Sequence, residues 1–565
     1  MLVAIAIRVE VVAVSRLWRR LLAVGTIVTV AMLSFAMLLG TAHAADTGAI
    51  TVDGTVVTRY DAYRIFLATV ADDDDAGQKV ATDVTWANDA VRQAVLPVLH
   101  DAGLDGSAST AQAAAAWMNA DGHMTTALTA KLARAIVKAG AVSVALNAGT
   151  KAELPCGYWL IVADDDAISQ NEAGTAPIMA LVGGGAVTVK PKAATPKVAK
   201  HVLEDGTAAW QKAADATVAD DLYWRLSATV PAGLTAYDTY TVRFVDTMSA
   251  GLDPSKVAAS MRVYVAAGAD GGFDAVSAGR DGRAGTESAK GWTDITAQCR
   301  VSVDGKTFTV RTGDLIAALG GTEAFTAGAR VVAVYNAPLG ANCNQGATKG
   351  NPNEVYLRYP RSPFADQSGD AGFTRTPSDD ACAYTWDLAL TKRGSDGDKP
   401  LAGAGLSIAD DRGRTLAADG TWDAEGKATV TTGEDGRVTV SGVDSGKLEV
   451  RELKAPKGYT AFEGTRSVTV KAEGLDVDQV AAAKPKLTIT AESPLRADSA
   501  DGSTGSLEAS LINTPTGTPP SITTGGFMPS TGDMAMYAAA AAAVAGAALI
   551  VVALLVKRGS GSHKE

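Results

Sequence analysis

Three strand-like runs in the last third of the chain each place one strongly polar side chain in phase with an apolar face. Side chains along a strand alternate faces with period two, so in Trp386-Asp387-Leu388-Ala389-Leu390-Thr391-Lys392 the lysine falls with Trp386, Leu388 and Leu390. By the same count Glu452 falls with Leu448 and Val450, and Asn513 with Leu507, Ala509 and Leu511. Burying an amine, a carboxyl and a carboxamide separately is costly. The pattern therefore demands a fold that brings three distant strands together so that the groups satisfy one another. Burial lowers the lysine pKa and raises that of the glutamate, leaving a free amine beside an acid that can protonate and polarise the amide. Attack of Lys392 on the Asn513 carbonyl with loss of ammonia gives an isopeptide bond, promoted by Glu452.

The same logic recurs upstream. Lys200 is in phase with Val198 and Val202, Asp246 with Val242 and Phe244, and Asn353 with Val355 and Leu357. A second bond, Lys200 to Asn353 with Asp246 as the acid, is expected. Lys197 and Asn351 are the rival amine and amide and are read as lying off the pattern.

At 565 residues the chain has room for three or four domains. A charged fraction of 20% and a hydrophobic fraction of 47% indicate globular domains and not a disordered or fibrous chain. The 62 acidic against 51 basic residues give a net charge of −11, the wrong sign for a phosphate-binding surface, so nucleic acid is excluded as a partner. Five His and no nucleophile elbow speak against a hydrolase. Lacking Cys-x-x-Cys and His clusters, the chain is expected to hold no metal and no cofactor. The Asp72–Asp75 and Asp164–Asp166 runs lack calcium-loop spacing. Of four cysteines, Cys156, Cys299, Cys343 and Cys382, the middle two fall in one domain and are the expected disulfide pair.

The ends specify export. Arg16, Arg19 and Arg20 precede an apolar run from Leu21 to Leu39 and an Ala42-His43-Ala44 cleavage pattern, so residues 1–44 read as a signal peptide. Met534 to Val556 is long enough to span a bilayer, with Lys557 and Arg558 directly behind it. Between the ends the predicted fold is mainly β, in tandem immunoglobulin-like sandwich domains. The first, 45–192, carries a helical insertion from Ser107 to Ala139; the second spans 193–365 and the third 380–514. Residues 515–527 form a Thr/Pro/Gly linker, and 528–565 the membrane-spanning tail.

Met528-Pro529-Ser530-Thr531-Gly532, followed by the apolar span and basic tail, resembles a Gram-positive sortase sorting signal with Met528 in place of the usual leucine. The resemblance implies attack of a sortase cysteine on the Thr531 carbonyl with release of Gly532. Thr391-Lys392, Pro400 to Ala404, the E-box Val450-Arg451-Glu452-Leu453-Lys454-Ala455-Pro456-Lys457-Gly458-Tyr459 and Ile512-Asn513-Thr514-Pro515 resemble the Cna-B-type domain of Gram-positive pilins. The surroundings of Asp246 and Asn353 resemble the fimbrial isopeptide-forming middle domain. Val187-Thr188-Val189-Lys190-Pro191-Lys192 is similar to the pilin motif, departing from it at Lys190 and Ala193, and the likeness carries the intermolecular nucleophile to Lys192.

Together these likenesses imply a sortase-assembled major pilin of actinobacterial type, a cell-wall-anchored structural subunit and not a turnover enzyme. The implied partners are a class C-type pilin sortase, a housekeeping sortase, further copies of the chain, peptidoglycan, accessory pilins and a host ligand. The competing reading is a monomeric wall-anchored adhesin with the same domains as a stalk; use of Lys192 separates the two.

Overall fold

The computed structural model describes residues 5–8, 30–31, 47–54, 57–73, 78–191, 195–268, 291–346 and 348–517. The signal-peptide cleavage pattern, Lys192, and the sorting signal with Met528, Pro529, Ser530, Thr531 and Gly532 lie outside the described residues. No described helix is long and apolar enough to cross a membrane. The described chain is mainly β and builds three successive units.

In the first unit the long strand Arg59–Asp73 pairs antiparallel with Gln78–Trp86 on one side and Gly157–Ala163 on the other. Ile5–Arg8 adds to the Gln78–Trp86 edge, and Val30–Ala31 pairs with it in turn. A second sheet sets Thr47–Val52 between Lys151–Pro155 and a parallel Val187–Val189. Ile50, Val52, Tyr60, Trp159 and Ile161 fill one buried core. A second core packs Ile65, Phe66 and Leu160 against three helices, Asp89–Asp101, Ala111–Met118 and Thr126–Lys138. Asn88, Thr110 and Thr125 start these helices, each side chain accepting from the backbone N–H three residues on. The helical insertion thus begins at Asp89, earlier than the Ser107 read from sequence. Val91, Val95 and Leu99 carry the helical period behind the Asn88 cap, but Pro97 in the helix interior masks it.

The middle unit is a two-sheet sandwich. One sheet runs in the order Ala209–Gln211, Lys197–Glu204, Tyr223–Val230, Ala329–Asn336, Arg262–Ala267, Thr293–Asp294. The facing sheet runs Ala213–Asp215, Asp379–Tyr384, Asn351–Pro360, Arg243–Met248, Thr307–Arg311, Arg300–Asp304, with Phe373–Arg375 on the Asn351–Pro360 strand. The predicted boundary at 365 is therefore too early, and Asp379–Tyr384, assigned from residue 380 to the third domain, is a strand of the middle one. The reason lies in its alternation. Ala381 and Ala383 point into the middle core while Cys382 and Tyr384 point into the next one, so one strand serves as a wall of both.

In the last unit Trp386–Gly394 lies between Arg437–Val443 and a parallel Ser506–Pro515. The facing sheet carries Gly405–Ala409, Gly446–Lys454, Thr465–Glu473 and Lys486–Ala491. Trp386, Leu388, Leu390, Val450 and Leu511 are buried between the two.

Candidate functional sites: two buried amine, acid and amide triads

Lys200, Asp246 and Asn353 are each 0% exposed. Lys200 stands on Lys197–Glu204 in one sheet, and its amine meets the acid carried by the other. Asp246 and Asn353 stand on neighbouring antiparallel strands, with Asp246 opposite Val355 and Asn353 opposite Met248. The Lys200 Nζ donates to Asp246 Oδ2 and, at 2.9 Å, to the Tyr335 hydroxyl. That hydroxyl donates to Asp246 Oδ2 at 3.0 Å and accepts from Asn353 Nδ2 at 2.8 Å. The ammonium also lies 5.5 Å from the Trp224 ring centre. Burial pushes the Lys200 amine down to about 8, against the opposing pull of Asp246. Burial likewise raises the Asp246 carboxyl, Lys200 drawing it back. Both shifts favour the uncharged pair, a nucleophilic amine beside a protonated acid.

The last unit assembles the same group types differently. Lys392 and Asn513 lie on the two neighbouring parallel strands, and Glu452 reaches them from the facing sheet. All three are buried. The Lys392 Nζ is 3.7 Å from Glu452 Oε1 and donates to the Leu511 carbonyl at 3.2 Å. Asn513 Nδ2 donates to Glu452 Oε1 at 2.8 Å, and Glu452 Oε2 accepts from the Phe462 N–H at 3.1 Å. Burial pushes the Lys392 amine down to about 8. In both triads the amide carbonyl oxygen, Asn353 Oδ1 or Asn513 Oδ1, is buried without a hydrogen-bond partner among the described residues. An orphaned buried acceptor costs about 1–3 kcal/mol, which a reacted or protonated partner would relieve.

All six residues singled out from sequence for these triads thus come together as two sets. The rival Asn351 is a correction. Two residues from Asn353, it shares that face and is fully buried, but its amide bonds the Asn344 and Ala383 carbonyls, away from Lys200. Lys197 is exposed at the strand end. The expected Cys299–Cys343 disulfide is also corrected, since neither of these two residues is bonded to another cysteine. Cys299 donates to the Ile295 carbonyl one turn back, while Cys343 packs beside Gly251. Tyr335 was missed: it is the next-to-last residue of a Val-rich strand, in phase with Val331 and Ala333, where an aromatic reads as ordinary core.

At the joint of the middle and last units, Glu204, Asp215 and Asp444 bring carboxylate oxygens within 4.8 Å of one another, a spacing that could admit a metal. Asp215 Oδ2 is already occupied, accepting from the Trp386 indole N–H at 2.6 Å and the Ser445 N–H at 3.0 Å. Burial and Asp215 push the Glu204 carboxyl up to about 8.

Residues 387–484 match the model of the SpaA prealbumin-like fold domain. Over 129 residues the chain is 30% identical to the trypsin-resistant surface T6 protein of Streptococcus pyogenes serotype M6, which covers 21% of this chain and 22% of that protein. The chain therefore spans about a fifth of that relative's length. Among solved structures, the T6 backbone pilin of the same organism aligns at 16% identity over 83% of this chain and 98% of that one, TM-score 0.44. The full-length major pilin SpaD of Corynebacterium diphtheriae aligns at 15% identity over 83% and 98%, TM-score 0.39.

Proposed function

We propose that the chain is the structural subunit of a covalently polymerised, cell-wall-anchored pilus. The observation that carries this reading is the pair of buried triads, which equip two successive sandwiches to seal themselves with Lys200–Asn353 and Lys392–Asn513 bonds. In each, the neutral amine attacks the amide carbon, the acid Asp246 or Glu452 polarises the amide, and ammonia leaves. Closing a loop of 100 residues or more removes unfolded-state entropy worth about 5 kcal/mol. The larger gain is mechanical, since tension along the chain passes through a covalent bond instead of through strand pairing. That property suits a shaft under load and is idle in a turnover enzyme.

Polymerisation follows from the two ends of the secreted part. The sortase cysteine attacks the Thr531 carbonyl, Gly532 departs with the membrane-spanning tail, and the Lys192 amine of another copy resolves the acyl-enzyme. Growth is head to tail, and transfer to peptidoglycan by a housekeeping sortase ends it. The shared Asp379–Tyr384 strand supports this reading by coupling the two sealed units without a loose linker. The test is an immunoblot, after boiling in SDS, of protein released from the wall by a muramidase. A high-mass ladder that vanishes with Lys192→Ala supports a covalent shaft; a single band in both strains would make the chain an anchored adhesin.

A further inference from the structure

The two triads differ in which oxygen touches both nitrogens. Net isopeptide formation moves one hydrogen from the attacking lysine nitrogen to the leaving amide nitrogen, so a group in contact with both can carry it. In the last unit that group is Glu452, whose Oε1 lies 3.7 Å from Lys392 Nζ and 2.8 Å from Asn513 Nδ2. In the middle unit Asn353 Nδ2 bonds the Tyr335 hydroxyl, which is itself 2.9 Å from Lys200 Nζ. Asp246 Oδ1 has no hydrogen-bond partner among the described residues, and Oδ2 is taken by Lys200 and Tyr335.

Resting on the reading of the middle triad as an isopeptide site, we propose that Tyr335 is a catalytic residue that relays the proton from Lys200 Nζ to Asn353 Nδ2. In the ground state the planar amide nitrogen is a donor, and Tyr335 accepts from it. Once Lys200 Nζ bonds to the Asn353 carbonyl carbon, the carbon becomes tetrahedral and the nitrogen gains a lone pair, so the same 2.8 Å contact reverses direction. The phenol gives its proton to Nδ2 and takes one from Nζ. The carbon–Nδ2 bond breaks, ammonia leaves, the carbonyl re-forms, and the phenol ends as it began. Asp246, accepting from the phenol at 3.0 Å, orients the hydroxyl. Burial keeps the phenol pKa well above its ordinary value, so the proton to be given is present at neutral pH.

The test follows the full secreted chain by mass spectrometry from synthesis onward, assigning each ammonia loss by cross-linked peptides containing Lys200 or Lys392. Tyr335→Phe should delay the middle bond by about 10²-fold or more, as loss of general acid–base assistance does, while the Lys392–Asn513 bond forms at the wild-type rate. Middle bonds forming in Tyr335→Phe as fast as in wild type would overturn the relay and leave the isopeptide reading standing. A wild-type chain without the middle bond would overturn that reading, and the relay with it. Fluorotyrosine at position 335 keeps the ring and alters the phenol acidity, covering the case in which Phe impairs folding. A middle-bond rate that shifts against an unchanged last-bond rate supports the relay; an unchanged middle-bond rate overturns it.

Discussion

Lys392 and Asn513 stand on adjacent parallel strands two residues out of register, Lys392 opposite Leu511 and Asn513 opposite Gly394. Their bond would rivet two strands of one sheet. Lys200 and Asn353 stand on opposite sheets, so theirs would rivet the two layers of a sandwich. The same three groups are thus brought together from two unrelated placements, with the acid supplied from the facing sheet in one and from the amide's own sheet in the other.

Pulling the chain by its ends should leave the segment between Lys200 and Asn353 folded and shielded from the load. Asn353→Ala, which removes the electrophile, should release that segment as an added extension of roughly 500 Å, at about 3.3–3.6 Å per residue. Single-molecule force spectroscopy reads it directly. An equal extension in the unaltered chain would show that the middle unit is not sealed.

Asn513→Ala leaves Lys392 buried and unable to react, so its titration becomes visible in stability. Its folded value near 8 lies below the ordinary ~10.4, so between those values the unfolded chain binds more protons than the folded one. Stability of the last unit should therefore rise with pH across that window, by on the order of 3 kcal/mol, and be flat below it. Urea midpoints of the variant at a series of pH values check the sign; a fall with rising pH would contradict the buried neutral amine.

Asp215 accepts from Trp386 and from both the backbone and hydroxyl of Ser445, groups of the last unit, while its own strand belongs to the middle one. Asp215→Ala should orphan the fully buried indole N–H and cost about 1–3 kcal/mol per abandoned donor. The expected result is a lower thermal midpoint with both isopeptide masses unchanged. Unaltered melting would mean that the joint does not depend on this contact.

Burial pushes the Cys299 and Cys382 thiols up to about 11. Thiolate is scarce at neutral pH, so these two should resist a thiol-reactive dye until the chain is unfolded, and a reductant should leave the melting midpoint unchanged. A reductant-sensitive midpoint would restore the disulfide.

The triads were legible in the sequence because a strongly polar residue in phase with Leu and Val breaks a rule that strands otherwise keep. Tyr335 was not, since an aromatic in phase with Val331 and Ala333 satisfies the same rule while its hydroxyl meets three polar groups. The boundary near 365 failed for a related reason. From Ala381 to Tyr384 that strand is apolar on both faces, and nothing in the alternation says that each face belongs to a different core. The cysteine pairing rested on shared domain membership, which sets no distance between two thiols.

The most direct measurement is the intact mass of the secreted part purified without its leader and tail. Two sealed units require a mass lower than the sequence by two ammonias, with Glu452→Ala restoring one and Asp246→Ala the other. A mass equal to that of the unmodified sequence would contradict both bonds and the load-bearing shaft built on them.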